Sequence, residues 1–332
     1  MKAVNQRLRS SSRSLPQFST RGARATVALG GGGARGIAHL GAMEVLRGLG
    51  LRVEHIVGVS IGSLAGALCA LNEDIKDVQN RVTTFVTSDE FQRRQAKMFA
   101  TAPASEEPMT SGLFAWWEQF ARFFGARRRM LNLLRRPSLL PGELIHNIIT
   151  SLLPDIDIRD VRIPLTIVAL DLQSGQQVKL TRGSLRDAVL ASTAIPGVFP
   201  PVNIDGRQLV DIGVIDALPV AVASDYGSDL TIAIDVGANV IPSPPLTTAK
   251  DIFLRISDLT ERHVRQYTRG MADLVIRPQV THIPWYDFSR PEELIDSGRL
   301  AARQSLHRET AQKPVRDNGP IEAASSATSP AG

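Results

Sequence analysis

The stretch VEHIVGVSIGSLAGALCAL (residues 53–71) places a serine between a predicted strand and a predicted helix. Its first third is rich in β-branched side chains, which favours a strand, and its last part is rich in alanine and leucine, which favours a helix. Ser60 therefore falls at the corner between the two elements, with Gly58 and Gly62 on either side. Glycines remove the side chains that would crowd such a turn, and the turn exposes the serine hydroxyl as a nucleophile.

A glycine-rich loop, GGGGARG (residues 30–36), precedes this corner and follows a second predicted strand over residues 25–29. The helix predicted after the loop begins near Ile37, so backbone N–H groups converge at its start. Donors of this kind stabilise either a bound phosphate or the oxyanion of an acyl-transfer intermediate. The serine turn and the glycine loop together favour a serine hydrolase.

The loop also satisfies a dinucleotide-binding fingerprint. Gly31, Gly33 and Gly36 match G-x-G-x-x-G, and Glu54 follows at about the expected interval. In the dinucleotide-binding fold, however, the acidic residue lies at the far end of the second strand, whereas Glu54 stands near the beginning of its strand. A mononucleotide P-loop is excluded because no Gly-Lys-Ser/Thr follows the glycines. The hydrolase interpretation is therefore preferred.

Two more motifs lie later in the chain, ASTAIPGVFPP (residues 191–201) and DIGVIDALPV (residues 211–220). With the glycine loop and the serine turn, in this order, they resemble the patatin-like phospholipases, especially the bacterial branch similar to neuropathy target esterase. The segment WYDF (residues 285–288) also resembles that branch. The resemblance covers residues 25–302. It implies an α/β fold, a patatin-like three-layer α/β/α sandwich with a mostly parallel central sheet and a helical lid or insert.

The resemblance implies a catalytic dyad in which Ser60 is the nucleophile and Asp211 is the base. A carboxylate is a weak base at its ordinary pKa of about 4, so Asp211 needs a partly desolvated site, which its apolar sequence neighbours favour. The family motif has glycine after the aspartate, whereas this chain has Ile212, which restricts the backbone. Ile212 favours the alternative of a catalytically weak regulatory or membrane-scaffold protein. Asp205 is not preferred as the base, because Asp205-Gly206 is typical of a hairpin turn.

The same resemblance assigns roles to the glycine loop. The backbone amides of Gly31, Gly32 and Gly33 are expected to form the oxyanion hole, and Gly36 belongs to the same substrate-binding loop. Arg35 stands where the family has a basic residue. Two roles are open for it, because an arginine there binds a substrate phosphate or attaches the loop to nearby carbonyl groups.

The histidines provide competing candidates for the base. His39 lies inside the helix predicted after the glycine loop, where we expect it to pack rather than to react. A Ser-Asp-His triad of the α/β-hydrolase type would use His263, His282 or His307. Only two predicted strands precede Ser60, fewer than that fold places before its nucleophile, so the dyad is preferred.

Composition agrees with one globular α/β domain. The 332 residues are 43% hydrophobic, which allows a sizeable core, and predicted strands and helices alternate along the chain. The single cysteine, Cys69, excludes an intramolecular disulfide, and the six histidines show no metal-ligand spacing. We expect no metal and no organic cofactor. The resemblance implies a phospholipid or lysophospholipid as the substrate.

Basic charge is concentrated in two segments. Of the 38 lysines and arginines, six lie in residues 1–24 and six in residues 122–136, and neither segment contains an acidic residue. We interpret residues 1–24 as a basic disordered leader and residues 311–332 as a disordered tail. Residues 25–310 then form the catalytic domain, in which residues 88–150 are a variable helical lid or membrane insert.

Residues 113–136 predict a peripheral membrane contact. Aromatic side chains share one predicted helical face there and precede the arginines, as in helices that lie on membrane surfaces. The same face would also suit a cover over the active site or a place in the core. The charge-free stretch 56–71 is shorter than the roughly 20 residues that span a bilayer. We therefore expect a cytoplasmic protein with peripheral membrane contact and no nucleic-acid partner.

Overall fold

The computed structural model of this chain describes residues 22–72, 74–99, 138, 140–238, 242–243 and 245–311. The chain divides into two units, Ser19–Ser305 and a unit made of Met1–Phe18 with Leu306–Gly332. Of the second unit, residues 306–311 are described, and they are the last turns of a helix.

Several predicted segments lie outside the described residues. They are residues 1–21 of the leader, 312–332 of the tail, and the whole of 113–136.

Eight strands form one mixed sheet within Ser19–Ser305. In chain order they are β1 (Arg24–Leu29), β2 (Arg52–Val59), β3 (Leu165–Asp171), β4 (Gln177–Leu180), β5 (Val202–Ile204), β6 (Arg207–Val210), β7 (Leu230–Ile234) and β8 (Leu274–Ile276). Strands β3, β2, β1, β7 and β8 run parallel in that spatial order. Strands β4 and β6 pair antiparallel with β3, and β5 pairs antiparallel with β6. The predicted mostly parallel sheet is confirmed.

Nine helices occur among the described residues. They are α1 (Ala38–Gly48), α2 (Ile61–Leu71), α3 (Ile75–Thr87), α4 (Asp89–Phe99), α5 (Glu143–Leu152), α6 (Leu185–Thr193), α7 (Val220–Ser224), α8 (Ala249–Arg269) and α9 (Pro291–Ala311). Asp74, Ser184 and Thr248 begin α3, α6 and α8, and each side chain accepts a hydrogen bond from a backbone N–H of the first turn. No described helix combines the length and the apolar character that a membrane crossing requires.

Helices cover both faces of the sheet, because alternate side chains of each strand point to opposite sides. On one face α2 packs closely, since a Cβ at Gly66 would lie 2.9 Å from Ile56 and 3.4 Å from Leu165 and Leu29. The other face carries the neighbouring residues of the same strands, which pack against α7. This second cluster comprises Ala28, Val57, Val59, Val168, Ile212, Leu218, Val220, Val222, Ala223 and Ala233. The predicted three-layer sandwich is confirmed.

The carboxyl ends of the parallel strands meet at one edge of the sheet, where open α/β folds place their sites. The glycine loop follows β1, Ser60 follows β2, and Asp235 follows β7. Strand β6 runs in the opposite direction and returns the chain to this edge. A Cβ at Gly213 would lie 3.4 Å from the Val59 side chain at the end of β2. The topology therefore gathers all four sequence motifs at one edge.

Two glycines allow α1 and α9 to touch through their backbones. A Cβ at Gly41 would overlap the carbonyl oxygen of Ile295, and a Cβ at Gly298 would overlap that of Ala38. Neither oxygen can retreat without separating the helices, because each belongs to a helical backbone. Helix α1 carries the glycine loop at its start, so this contact also anchors the loop.

Gly41→Ala should lower the free energy of unfolding by about 1–3 kcal/mol, because the added methyl group overpacks the contact between α1 and α9. Gly48→Ala is the matched control in the same helix, since no heavy atom lies within 4 Å of its Cβ position. This control should be neutral or up to about 1 kcal/mol more stable. Urea unfolding followed by circular dichroism measures both variants, and equal stabilities would contradict the contact.

Candidate active site

Ser60 occupies a strained turn between β2 and α2. Its φ of 54° and ψ of −129° lie in a region that non-glycine residues rarely adopt. The flanking glycines make the turn sterically possible. A Cβ at Gly58 would lie 2.6 Å from the carbonyl oxygen of Gly62, and a Cβ at Gly62 would overlap the carbonyl oxygen of Leu29. The predicted elbow at Gly58 and Gly62 therefore has a steric basis in the structure.

Hydrogen bonds hold this turn from two sides. The Ser60 amide donates to Ser192 Oγ at 2.9 Å, and Ser192 Oγ donates to the carbonyl oxygen of Val168 at 2.7 Å. Ser63 Oγ donates to the Ser60 carbonyl oxygen at 2.6 Å. Sequence reasoning singled out the ASTAIPGVFPP motif but not this role of Ser192. The serine in this motif was the available signal, but that it pairs with the Ser60 amide is visible only in the folded chain.

Asp211 follows β6 and is completely buried. Its Oδ1 accepts a hydrogen bond from the Gly213 amide at 2.7 Å, and its own amide donates to the Ala194 carbonyl oxygen at 2.9 Å. Its Oδ2 is buried and has no hydrogen bond of normal geometry among the described residues. Burial raises the pKa of Asp211 to about 7, and the nearby Ser60 side chain and the Gly213 amide partly oppose that rise. The carboxyl group therefore titrates near neutrality.

The residues around Asp211 explain the unusual DIG sequence. Gly213 is the glycine that the turn needs, because a Cβ there would lie 2.8 Å from Asp211 Oδ1. Ile212 does not have a positive φ and is 3% exposed within the core beside α7. A β-branched residue is therefore accommodated next to the aspartate without left-handed backbone. Asp205 lies in the exposed turn between β5 and β6, which confirms the predicted hairpin.

The glycine loop lies directly against the serine turn. A Cβ at Gly31 would lie 3.3 Å from Ser60 Cβ. The Gly31 amide, however, donates to the Ala217 carbonyl oxygen at 2.8 Å, so it is engaged within the fold. This corrects the expectation that all three glycine amides point to the substrate. The loop amides of Gly32 and Gly33 remain the candidates for an oxyanion hole.

Two other contacts fix the shape of this loop. Gly33 has a φ of +61°, and a Cβ there would overlap the carbonyl oxygen of Trp285, which accepts a hydrogen bond from the Ala34 amide at 2.6 Å. A Cβ at Gly36 would overlap the Ile61 side chain, so Gly36 lets the loop approach α2. The WYDF segment thus reaches the site, which its sequence alone did not indicate.

Arg35 and His39 both attach the loop to the body of the protein. Arg35 is buried, and its Nε donates to the Ile283 carbonyl oxygen at 2.7 Å while its Nη2 donates to that of Thr281 at 3.5 Å. These contacts agree with one of the two roles predicted for Arg35, the attachment of the loop to nearby carbonyl groups. His39 Nε2–H donates to the Gly30 carbonyl oxygen at 2.8 Å. Burial lowers the pKa of His39 to about 4, so the ring is neutral.

A cavity of about 520 Å³ opens beside Ser60 and Gly33. Most of the side chains that line it are apolar, and five of them are aromatic. The aromatic ones are Phe85, Phe91, Phe199, Trp285 and Phe288. Residues 88–95 and 140–151, which belong to the segment predicted as a lid or insert, also contribute to the wall. The cavity is suited to a long apolar chain whose reacting end lies at Ser60.

The contacts of the described histidines do not support a triad. None of the described residues that line this cavity is a histidine. His263 is exposed on α8, where its Nδ1–H donates to the Leu259 carbonyl oxygen at 2.8 Å, and His282 lies 2.7 Å from a carboxylate oxygen of Glu293. His307 belongs to the second unit. The geometry favours the Ser60 and Asp211 pair over a triad.

The structure also weakens the dinucleotide interpretation. Glu54 lies near the beginning of β2, away from the glycine loop, and is 3.3 Å from Arg52 and 3.7 Å from Arg24. Within the described part of the chain, no three His, Cys, Asp or Glu side chains are grouped to hold a metal ion. Cys69 is buried, and burial raises the pKa of its thiol to about 11.

Comparison with known proteins identifies the family of this chain. Residues 27–224, more than half of the chain, match the family described as patatin-like phospholipase. The chain belongs to the patatin-like phospholipase family. An uncharacterised NTE family protein of Mycobacterium tuberculosis is 32% identical over 220 residues, which are 65% of this chain and 50% of the relative. The resemblance predicted from the four motifs is therefore confirmed.

Two other similar proteins extend the comparison. A lysophospholipase of Eremothecium gossypii is 30% identical over 212 residues, which are 63% of this chain and 12% of that protein. The crystal structure of VipD from Legionella pneumophila has a TM-score of 0.41 and 15% identity, with 87% of this chain and 67% of VipD covered. This patatin-like chain spans half the length or less of the curated relatives named here.

Asp211→Asn should stabilise the protein more at pH 8 than at pH 5, by about 2.5 kcal/mol. The folded pKa of Asp211 is raised to about 7, so its favourable contribution is present below the unfolded pKa of about 4 and is lost as the pH rises through 7. Asparagine keeps the acceptor for the Gly213 amide and has no charge to bury.

Urea unfolding of wild type and variant at both pH values measures this difference. Asp205→Asn, in the exposed hairpin turn, is the matched control and should follow the wild-type pH dependence. A stability difference for Asp211→Asn that does not change with pH would show that Asp211 is not held in a desolvated site.

Proposed function

We propose that this protein is a serine lipid acyl hydrolase that cleaves carboxylic esters of phospholipids or lysophospholipids through an acyl-Ser60 intermediate. One observation carries the proposal. Ser60 stands in a strained turn, its side chain lies next to the buried carboxyl group of Asp211, and it lines a mainly apolar cavity of about 520 Å³. The activity thus belongs to the class of a phospholipase, lysophospholipase or esterase.

The first half of the reaction forms the acyl-enzyme. Asp211 accepts the hydroxyl proton while Ser60 Oγ attacks the ester carbonyl carbon. The carbonyl oxygen gains negative charge, and the amides of Gly32 and Gly33 donate hydrogen bonds to it. The C–O bond to the alcohol then breaks, and the proton passes from Asp211 to the leaving alcohol oxygen.

The second half returns the free enzyme. A water molecule gives a proton to Asp211, attacks the acyl carbon and passes through a second oxyanion at the same amides. The bond to Ser60 Oγ breaks, Ser60 takes the proton from Asp211, and the fatty acid leaves. Every proton is transferred between Asp211 and an oxygen of serine, alcohol or water, so no histidine is required.

The electrostatics of Asp211 support its role as base. A general base works best when its pKa lies near the working pH, and burial raises the pKa of Asp211 to about 7. The buried Oδ2 lacks a hydrogen bond within the described structure, which leaves it available to take a proton. The raised pKa of Asp211 therefore supports its role as the general base.

The cavity and the family support a lipid ester as the substrate. The aromatic and aliphatic side chains of the cavity suit an acyl chain, and a smaller number of polar side chains, Glu90 among them, line the rest. A relative that carries the name lysophospholipase supports the same substrate class. The scaffold alternative rested on Ile212, which packs in the core without left-handed backbone, so no observation in the structure favours that alternative.

Ser60→Ala and Asp211→Asn should each reduce hydrolysis by about 10³-fold or more, because a nucleophile and its base act as one unit. Hydrolysis of a medium-chain p-nitrophenyl ester and release of fatty acid from a lysophospholipid measure the effect. His263→Ala is the matched control and should keep wild-type activity.

Labelling by a fluorophosphonate probe separates loss of chemistry from loss of fold. Wild type and His263→Ala should be labelled at Ser60, whereas folded Ser60→Ala should not be labelled. A folded wild type that neither hydrolyses these esters nor reacts with the probe would leave the non-catalytic scaffold as the better interpretation.

The rate constant kcat/KM should fall below about pH 7, by about tenfold for each pH unit, because one proton on Asp211 removes the base. Assays from pH 5 to pH 9 with a soluble ester measure the profile, with circular dichroism as the check on folding. A rate that stays constant down to pH 5 would exclude Asp211 as the titrating base.

A further inference from the structure

A second cavity, of about 270 Å³, lies between α8 and the segments that follow β7 and β8. It shares no lining residue with the cavity beside Ser60. Four arginines line it, namely Arg262, Arg265, Arg269 and Arg277, and they are joined by Gln266 and His263. The only other residue of its wall within the described chain is Ala238. This arginine pocket is therefore strongly basic and almost without apolar side chains.

Three of these guanidinium groups converge on one buried carboxylate, that of Asp235. Arg265 Nη1 lies 2.7 Å from Oδ1, whereas Arg269 Nε and Arg277 Nε lie 3.3 Å and 3.5 Å from Oδ2. The two longer approaches are ion pairs without hydrogen-bond geometry. Arg269 Nε is therefore a buried donor that lacks an acceptor in the described structure.

Two other carboxylates pair with arginines of this wall. Glu261 lies 2.6 Å from Arg265 Nε, and Asp258 lies 3.0 Å from Arg262 Nε. Burial lowers the pKa of Arg269, and the positive charges of Arg277 and Arg265 add to the lowering. The negative charges of Asp235 and Glu261 oppose it. The charges of Arg277 and Arg265 thus act against that of Arg269, and an anion beside these groups would offset this effect.

We propose that the arginine pocket binds a phosphate group, as inorganic phosphate or as a phosphate monoester. Several guanidinium groups that face one cavity match a tetrahedral anion, whose oxygens accept hydrogen bonds from different directions. The anion would give Arg269 Nε the acceptor that it lacks. The volume of about 270 Å³ admits a phosphate group together with a small substituent.

The pocket adjoins the back of the glycine loop. Arg265 Nη1 and Nη2 lie 3.5 Å and 3.4 Å from the Gly31 carbonyl oxygen, and Arg262 Nη1 donates to the Ala238 carbonyl oxygen at 2.9 Å. A Cβ at Gly237 would overlap the Arg265 guanidinium. A bound anion would hold Arg265 in place against the loop. Binding itself does not depend on the proposed hydrolase activity.

Isothermal titration calorimetry of the full chain with inorganic phosphate and with glycerol 3-phosphate tests the proposal at constant ionic strength. Arg277→Gln should bind about tenfold more weakly than wild type, the loss expected for one charge-assisted hydrogen bond. Arg277 is suitable because its side chain is 39% exposed and Asp235 keeps Arg265 as its partner. Arg182→Gln, at an exposed position elsewhere, is the matched control and should bind like wild type.

Two results would overturn the proposal. One is a folded wild type that gives no binding heat and no rise in melting temperature with either soluble probe, and does not bind vesicles that contain phosphatidic acid. The other is equal affinity in wild type, Arg277→Gln and Arg182→Gln, which would place the anion elsewhere. If Arg277→Gln does not fold, Arg277→Lys replaces it and Arg269→Lys is measured beside it. An affinity for the phosphate probes equal to wild type in both lysine variants would count against the pocket.

Vesicles distinguish a lipid headgroup from a soluble phosphate. Sedimentation with phosphatidylcholine vesicles, with and without phosphatidic acid, reports binding to a phosphate monoester at a membrane surface. Co-sedimentation that needs phosphatidic acid and is lost in Arg277→Gln but not in Arg182→Gln supports the pocket with a lipid as the source. Binding of the soluble probes without co-sedimentation supports the pocket with a soluble phosphate compound as the source.

Discussion

The left-handed backbone at Ser60 is the constraint on which the rest of the site depends. Such a conformation costs a non-glycine residue about 1–3 kcal/mol and persists only where the surrounding structure enforces it. Here glycine at positions 58 and 62 avoids side chains that would collide with the backbone, and the hydroxyl of Ser192 accepts a hydrogen bond from the Ser60 amide. The glycine loop can then pack against the turn, since a Cβ at Gly31 would approach Ser60 Cβ to 3.3 Å.

Burial of Asp211 is the second determinant, and it follows from the same packing. The core beside α7 includes Ile212 and Val59, so the segment after β6 packs against the end of β2. This packing excludes solvent from the carboxyl group of Asp211. The Ser60 side chain and the Gly213 amide both favour the charged carboxylate, but together they do not offset its desolvation. The raised pKa of Asp211 is therefore a consequence of how the sheet is covered rather than of a charged neighbour.

Prediction from sequence succeeded where the governing rules are local. The strands Arg24–Leu29 and Arg52–Val59 and the helix Ile61–Leu71 agree with the predicted segments, because side-chain periodicity and β-branched composition act over a few residues. Prediction failed where a partner lies far along the chain. The Gly31 amide donates to Ala217, and Arg35 donates to Ile283, and neither partner can be read from the GGGGARG motif.

The sequence by itself determined the α/β class, the order of the motifs, the family, and Ser60 and Asp211 as the candidate pair. Tertiary structure decided the rest. It decided that the Gly31 amide is engaged within the fold, which serine holds the turn, and that arginines of α8 and of the chain after β8 converge on Asp235. Motifs record steric and chemical requirements of neighbouring residues, whereas burial and hydrogen-bond partners depend on segments that meet only when the sheet assembles.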